Sequence, residues 1–310
     1  MTADERLVAL TGATGFLGQR LAAALRTDGW RVRALVRREA DAARLARAGL
    51  EPCVGDLSDS AALARLTAAA PLTIHCAGLI KARTRAEFMA VNGDGAARLA
   101  CAVGGRLILI SSLAAREPQL SPYAASKRAG EEAARLGAHG RLTILRPPAI
   151  YGPGDRETLA LFRAAAWAAV LPLPGGPLAR LALAHVDDVV AAILHLARAP
   201  PSDVAFAVGG AEPDGYGWRA IMGAAALAVG RAPRLVRAPA WAILGAGAVS
   251  EGVGRLRGAP IFTLGKAREL LHADWSVTAA ERAPAAPPAR FSLAEGFADA
   301  VAWYRNEGWL

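Results

Sequence analysis

The sequence predicts an α/β protein with a doubly wound parallel sheet and a smaller, mainly helical C-terminal lobe. In the first half of the chain, short apolar runs of strand length alternate with longer runs of helical periodicity. This alternation is typical of a parallel sheet that helices cover on both faces. A glycine-rich turn at residues 11–18 lies at the first strand–helix junction, and beyond about residue 151 the alternation fades.

The glycine turn has the spacing G-x-x-G-x-x-G and follows the apolar run 7–10. Gly12 permits the tight turn, Gly15 leaves room for a phosphate, and Gly18 lets the next helix lie close to the sheet. The N–H groups at the start of that helix then face an anion. The turn therefore predicts a dinucleotide-binding, Rossmann-type domain. The residues assigned to this contact are Gly12, Thr14, Gly15, Phe16, Leu17 and Gly18.

The other elements follow in chain order. In the first half, strands are predicted at 7–10, 30–36, 51–54, 72–76, 106–110 and 142–145, and helices after the glycine turn and at 39–48, 58–70, 86–103 and 121–136. Ser58 is interpreted as a helix cap and Pro122 as a first-turn residue. In the second half, helices are predicted at 158–170, 187–198, 218–229 and 239–256, and strands at 181–184, 204–208 and 235–237. We expect a dinucleotide-binding domain at 1–150, to which part of 181–210 returns, and a substrate-binding lobe mainly at 151–310.

Composition narrows the class of protein. The chain has 310 residues, of which 54% are hydrophobic and 20% are charged. No apolar run reaches the roughly 18 residues of a membrane span, and the polar start at 1–6 predicts no signal peptide. The three cysteines lack metal-ligand spacing. We expect a cytoplasmic protein without a metal site.

The net charge is +9, and nearly all the cations are arginine. These arginines are scattered among acidic residues and form no basic block, so we expect no nucleic-acid partner.

The residues at the end of the second strand indicate which dinucleotide is bound. Dinucleotide sites for NAD place a carboxylate there, whereas this chain has Arg37 and Arg38. A cation accepts a 2′-phosphate, so the pair favours NADP, with NAD as the alternative. Asp56, after the third strand, is either an acceptor for the adenine amino group or a helix cap.

A candidate catalytic group is formed by Ser112, Tyr123 and Lys127. Tyr123 and Lys127 are four residues apart on one predicted helix, hence on one face. A neighbouring ammonium stabilises a phenolate, which makes the tyrosine a general acid/base. The Ser112 hydroxyl can hydrogen-bond the substrate oxygen on which charge develops.

A set of short motifs carries a family resemblance. These motifs are TGATGFLG at 11–18, GDL at 55–57, HCAG at 75–78, VN at 91–92, SS at 111–112, YAASK at 123–127, RPPAIYGPG at 146–154, HVDDV at 185–189 and the closing segment 293–310. Together they resemble the extended short-chain dehydrogenase/reductase superfamily, which includes nucleoside-diphosphate-sugar epimerases, dehydratases and 3β-hydroxysteroid dehydrogenase-like enzymes.

The resemblance implies further site residues. For the cofactor they are Leu57, Cys76, Ala77, Gly78, Asn92, Ser111 and Pro147, together with Tyr123 and Lys127. For the substrate they are Ile80, Tyr151 and His185. It also implies a homodimer formed through the helices at 86–103 and 121–136. Arg37 and Arg38 depart from the acidic position usual in NAD-retaining epimerases.

We therefore expect an NADP-dependent oxidoreductase that transfers hydride between nicotinamide and a carbonyl or secondary alcohol of a small molecule. One alternative is a sugar-nucleotide epimerase or dehydratase with tightly held cofactor. Another is a cofactor-binding structural or redox-sensing subunit. The apolar runs 159–173 and 238–249 favour an at least partly apolar substrate. They are either packed helices of the second lobe, or a greasy channel or peripheral membrane contact.

Overall fold

Strands and helices alternate through the first half of the chain in the computed structural model, which describes residues 6–212, 214–257 and 262–310. The elements up to residue 151 are β1 Leu7–Thr11, α1 Phe16–Thr27, β2 Arg31–Val36, α2 Glu39–Arg47, β3 Glu51–Val54, α3 Ser60–Thr67, β4 Leu72–His75, α4 Arg85–Phe88, α5 Gly95–Ala102, β5 Arg106–Ile110, α6 Pro122–Ala138, β6 Leu142–Arg146 and β7 Ala149–Tyr151. The later elements are α7 Leu159–Trp167, β8 Val170–Leu173, β9 Arg180–Leu181, β10 Leu183–His185, α8 Val186–Arg198, β11 Ser202–Ala207, α9 Trp218–Ala228, β12 Arg234–Arg237, α10 Ala240–Arg257, α11 Leu264–Leu271, β13 Asp274–Trp275 and α12 Leu293–Asn306.

The main sheet has seven strands in the order β11-β6-β5-β4-β1-β2-β3. All neighbours from β6 to β3 pair in parallel. Every residue of β1 is buried, as expected for a strand with helices on both faces. The strand order reverses beside β1, which is where ligands bind in doubly wound sheets. The predicted fold class is confirmed.

The chain divides into two compact units. The first comprises Met1–Arg146 and Val190–Phe206. Strand β11 lies in the second of these segments and still joins the main sheet beside β6. Its core is aliphatic, with Leu63, Leu99 and Ile144 fully buried within one cluster. This cluster fixes α3, α5 and α6 against the sheet, so the loops after the strands start from a rigid frame.

The second unit comprises Pro147–Val189 and Ala207–Leu310. It holds three two-stranded parallel sheets, β7 with β10, β8 with β12, and β9 with β13. Its core is aromatic: Phe297 on α12 meets Tyr151 and Phe162 edge-on, with ring centroids 4.9 and 5.0 Å away. The hydroxyl of Tyr304 is satisfied by donating to Asp155 O at 2.6 Å.

Several predicted boundaries differ in the structure. Asp59, not Ser58, caps α3, because its carboxylate accepts from Ala62 N at 2.9 Å while Ser58 bonds to Asp56. The predicted helix 158–170 ends at Trp167, and β8 follows because it pairs with β12. Local hydrophobicity could not separate these two elements, since both are apolar.

Two other predicted elements are divided. The helix expected at 86–103 consists of α4, a π-helical segment at Met89–Asp94, and α5. The strand expected at 181–184 becomes β9 and β10, which pair with different partners, β13 and β7. Pairing of this kind depends on distant segments and leaves no local pattern.

Candidate active site

The glycine turn forms a backbone cradle at the start of α1. Gly12 has φ +78°, and a Cβ there would lie 2.6 Å from Ala77 N. A Cβ at Gly18 would overlap Gly12 O, whereas one at Gly15 would have its nearest neighbour 3.4 Å away. No side chain among the described residues caps α1. The N–H groups of its first turn therefore face open space, which fits a phosphate.

The other residues predicted in this turn lie at its rim. Thr14 is exposed, and Phe16 and Leu17 are half-buried on the first turn of α1. Their contact with a cofactor stays a prediction.

A buried hydroxyl holds the loop after β4 against this turn. Thr11 Oγ1 lies 2.6 Å from His75 Nδ1 and accepts from Ala77 N at 3.1 Å. Burial, assisted by the charge of Lys127, lowers the pKa of His75 to about 3. The imidazole is therefore neutral, and its Nδ1 shares a hydrogen bond with the Thr11 hydroxyl. This bond positions Cys76, whose thiol pKa is raised to about 12 by burial, and the neighbouring Ala77.

Asn92 supports the next part of the same loop from the π-helical segment. Its Oδ1 accepts from Leu79 N at 2.8 Å, and its Nδ2 donates to Leu79 O and Ser126 Oγ, both at 2.9 Å. A Cβ at Gly78 would lie 3.0 Å from Asn92 Oδ1 and 3.7 Å from Lys127 Nζ. The structure therefore brings Gly78, Asn92 and Lys127 together. Ile80, one residue after this clamp, is exposed.

Helix α6 presents Tyr123 and Lys127 one turn apart. Ser121 caps the helix by accepting from Ala124 N at 3.0 Å, and Pro122 occupies its first turn, as predicted. Tyr123 is half-buried, with its ring edge-on to Phe88 at 6.0 Å.

Lys127 is buried without a carboxylate within ion-pair distance among the described contacts. Its Nζ donates to Ile110 O at 2.8 Å. Desolvation lowers its pKa to about 8, although the more distant Cys76 and Glu131 act in the opposite direction. An ammonium held in this way stays mainly protonated at pH 7 and has donors left for a ligand hydroxyl.

The two serines after β5 have different environments. Ser112 begins a short 3₁₀ turn, Leu113–Arg116, and its hydroxyl accepts from Ala114 N at 3.2 Å. Its proton is free to be donated elsewhere. Ser111 is buried and donates to Glu131 Oε1 at 2.6 Å. These partners agree with the choice of Ser112 as the catalytic candidate, whose role stays a prediction.

Glu131 is a site residue that the sequence reasoning missed. It is fully buried on α6 and receives a bidentate pair from Arg146, at 2.8 and 2.6 Å. Together with the Ser111 bond, this joins α6 to the carboxyl ends of β5 and β6. The sequence does contain one indication of this role. Glu131 lies four residues after Lys127, so it extends the helix face of Tyr123 and Lys127 by one turn.

The residues after β2 and β3 are more exposed. Arg38 Nε donates to Asp41 Oδ2 at 2.7 Å, and this hydrogen bond lowers the pKa of the Asp41 carboxyl. Arg37 is also exposed. Asp56 accepts from Ser58 N at 2.7 Å, and the bonds from Ser58, with a smaller effect of Arg37, lower its pKa.

Of the two roles considered for Asp56, the helix cap is filled by Asp59 instead. Leu57, the next residue, packs directly against Gly95. A Cβ added at Gly95 would lie only 2.9 Å from Leu57 Cδ1. Its cofactor contact stays a prediction.

The substrate candidates Tyr151 and His185 meet inside the second unit. Their rings are edge-on at 5.6 Å, and both residues are buried. His185 Nε2 lies 3.2 Å from Asp299 Oδ2, while its Nδ1 accepts from Asp187 N at 3.3 Å. Burial lowers the pKa of His185 and raises that of Tyr151. Pro147 is buried at the start of this unit.

The described residues contain neither a metal-binding cluster nor a helix that could span a membrane. Within residues 6–212, 214–257 and 262–310, no group of three or more His, Cys, Asp or Glu side chains is arranged to hold a metal ion. In the same ranges, no helix combines the length and apolar character needed to cross a membrane.

The chain matches one family model and a curated relative along most of its length or all of it. The model of the NAD dependent epimerase/dehydratase family matches residues 8–209. A protein named ceramide reductase, from Caulobacter vibrioides, is 49% identical over 315 aligned positions, which cover 100% of this chain and 98% of that protein.

Two solved structures share the fold. The crystal structure of gox2253 superposes with a TM-score of 0.77 at 24% identity, covering 99% of both chains. MoeE5 in complex with UDP-glucose and NAD gives a TM-score of 0.70 at 24% identity, covering 97% of this chain and 99% of that one.

Proposed function

Because the chain belongs to the NAD-dependent epimerase/dehydratase family and is an NAD(P)-dependent enzyme of the short-chain dehydrogenase/reductase type, we propose that it is an NADPH-dependent lipid reductase. Its substrate is a ketone on the long-chain base of a ceramide-type lipid, and its product is the secondary alcohol. The observation that carries this proposal is the identity of 49% to a ceramide reductase over the whole chain.

Ceramide chemistry suits a Ser-Tyr-Lys site. A ceramide bears a secondary hydroxyl beside its amide-bearing carbon, and the oxidised form of that group is a ketone. A carbonyl of this kind needs one hydride at carbon and one proton at oxygen. The described site offers Tyr123 as proton donor and Ser112 as hydrogen-bond donor.

Each residue of the candidate site has a separate role in the proposed reduction. Gly12 and Gly15 would form the cradle for the pyrophosphate, and the Lys127 ammonium would bind the nicotinamide ribose. When bound, the nicotinamide supplies the hydride. Ser112 donates to the carbonyl oxygen and fixes its orientation. Tyr123 transfers its hydroxyl proton to that oxygen as hydride arrives, and Lys127 stabilises the resulting phenolate.

NADP preference is part of the proposal and rests on Arg37 and Arg38. Arg38 already pairs with Asp41, but the pair is exposed, with Arg38 77% accessible at its side chain. An exposed pair of this kind is weak. A 2′-phosphate, with its greater charge, competes well for the guanidinium group.

The decisive experiment is an activity assay with chemically defined ketones. Purified protein is incubated with NADPH and a 3-oxo ceramide of short acyl chain, and the alcohol is identified by mass spectrometry. Cofactor consumption together with matching alcohol formation supports the proposal.

Sugar nucleotides serve as the comparison substrates. We expect no turnover and no thermal stabilisation by UDP- or dTDP-sugars, and no cofactor retained through purification. Conversion of a sugar nucleotide without net cofactor consumption, with no reduction of the ketone, would replace the reductase by the epimerase alternative.

We also propose a homodimer formed by α5 and α6. Leu136 on α6 is 79% exposed, and it lines a shallow depression with Ala97, Cys101 and Gly137. Covering this apolar surface is favourable. Light scattering of the wild type and of Leu136→Glu tests this: we expect a dimer for the first and a monomer for the second, and a monomeric wild type contradicts the proposal.

A further inference from the structure

One face of α10 is exposed and, over residues 240–254, whose side chains the structure describes, carries no polar side chain. The residues of this face, called the α10 face below, are Trp241, Gly245, Ala246, Ala248, Val249, Gly252 and Val253. At 100° per residue they fall within an arc of about 160°. Trp241 is 77% exposed and Val249 68% exposed.

The opposite side of α10 packs against the start of α11 in the second unit. A Cβ at Gly247 would lie 3.0 Å from both Ala267 Cβ and Thr263 O. Glu251 accepts from Leu264 N at 3.1 Å. Helix α10 is therefore held on α11 by this side. The α10 face is not needed for that contact, although a helix that is apolar all round is ordinarily buried.

The segment that leads into α10 carries charge of one sign. Between Asp214 and Glu251 the sequence has no acidic residue and four arginines. Three of these, Arg231, Arg234 and Arg237, are exposed on β12 or just before it. Four residues of extended chain span at most about 14 Å. Arg237 therefore lies within that distance of Trp241.

We propose that the α10 face, with the arginines of β12, docks the protein on an anionic lipid bilayer. Trp241 and Val249 enter the boundary between head groups and acyl chains, where exposed tryptophan is favoured. Arg234 and Arg237 attract the anionic head groups. This brings the enzyme to the surface in which a ceramide-type substrate is dissolved.

A bilayer fits this surface better than a protein partner does. A standard protein interface uses roughly 20–30 residues on each side, whereas the α10 face has seven, four of them glycine or alanine. A bilayer needs no shape complementarity and responds to apolar area and positive charge together. The choice of a bilayer also rests in part on the proposed lipid substrate.

The test is flotation of the whole protein with vesicles, without cofactor or substrate. Vesicles of phosphatidylcholine alone are compared with vesicles that contain phosphatidylglycerol in addition. We expect binding to the anionic vesicles, weakened by salt. Trp241→Glu and Val249→Glu should each reduce the partition coefficient on the order of tenfold, because a charge replaces an inserted apolar group. Arg234→Ala and Arg237→Ala should each reduce it about fivefold.

Val204→Glu is the matched control. Val204 is 57% exposed on β11 in the first unit, so the substitution changes the net charge equally at an exposed apolar position outside α10. We expect its vesicle binding to equal that of the wild type. All variants are first compared by circular dichroism and thermal melting to establish that they fold.

The outcomes separate docking from catalysis. Trp241→Glu should retain wild-type turnover of a water-soluble short-chain ketone. Loss of vesicle binding by Val204→Glu to the same extent, or a wild type that does not bind, overturns the docking proposal and leaves the reductase proposal intact. A change of oligomeric state in Trp241→Glu overturns it in favour of a protein interface. Vesicle binding without ketone reduction contradicts only the reductase proposal.

Discussion

The two units bury polar side chains in different ways. In the first unit they hold backbone segments at the carboxyl ends of strands: Thr11 fixes the loop after β4, Asn92 clamps Leu79, and Glu131 joins α6 to β5 and β6. In the second unit Tyr304 and His185 complete the packing of an aromatic core. The first arrangement holds loops at the candidate site in place, whereas the second satisfies polar groups inside the core of the second unit.

Two tyrosines differ between the units in the same way. Tyr123 is half-buried, with Lys127 one turn along the same helix. Tyr304 is fully buried, and burial raises its pKa to about 12. The Tyr304 phenol therefore serves packing, whereas proton transfer by Tyr123 stays a prediction. The neighbours of each phenol distinguish the two cases.

The largest expected effect separates these two tyrosines. Tyr123→Phe should lower kcat by about 10²–10⁴, the scale of a lost general acid/base, with nearly unchanged NADPH affinity. Tyr304→Phe should leave kcat unchanged and lower stability by about 1 kcal/mol through its lost bond to Asp155 O. Steady-state kinetics and denaturant melts of both variants measure this. Equal turnover of Tyr123→Phe and wild type contradicts the proposed mechanism.

Truncation in the aromatic core should lower stability strongly, whereas Tyr123→Phe should lower turnover. Phe297→Ala removes a fully buried ring that meets Tyr151 and Phe162. We expect a loss of about 3–5 kcal/mol in the free energy of unfolding. Phe297→Leu, which keeps most of the apolar volume, is the control and should lose markedly less. A loss below about 1 kcal/mol in Phe297→Ala means that the core tolerates the cavity, contrary to the tight packing described.

Lys127→Met should stabilise the protein while lowering turnover. The fall in the Lys127 pKa from 10.5 to about 8 corresponds to about 3 kcal/mol of unfavourable burial at pH 7. Losing the bond to Ile110 O costs about 1 kcal/mol. We therefore expect a net gain of about 2 kcal/mol in the free energy of unfolding, measured by denaturant melts without cofactor.

The gain should depend on pH in a defined direction. The unfolded chain keeps the lysine proton up to its ordinary pKa of 10.5, whereas the folded protein loses it near 8. Unfolding therefore takes up a proton between these values, and wild-type stability rises with pH relative to Lys127→Met. The advantage of the variant should shrink from pH 8 towards pH 10. A constant advantage means that Lys127 is not the group that titrates.

The smallest effect concerns the end of β2. Arg37→Ala should weaken NADPH binding by about tenfold and leave NADH binding unchanged, because the lost contact is to the 2′-phosphate. Arg20→Ala, at another arginine of the same unit, controls for net charge. Titration of both cofactors gives the ratio. Equal weakening of NADPH and NADH binding contradicts the assignment of Arg37.

The sequence by itself determined the doubly wound class, the glycine turn and the Tyr123–Lys127 face. Each depends on local periodicity: apolar strands followed by helices, glycines at fixed spacing, and side chains four residues apart on a helix. The strands of the second unit were harder to recognise, because β7, β8 and β9 are short and are defined by partners far along the chain.

Only the tertiary structure decided which polar groups work together. Glu131 meets Ser111 and Arg146 because β5 and β6 end beside α6. His75 is neutral because the folded core excludes water from it. The exposure of Trp241 could not be predicted either, because the apolar run 238–249 has the same sequence pattern whether its helix is buried or faces solvent. Burial and proximity arise when distant segments pack, and a linear pattern carries no distance between them.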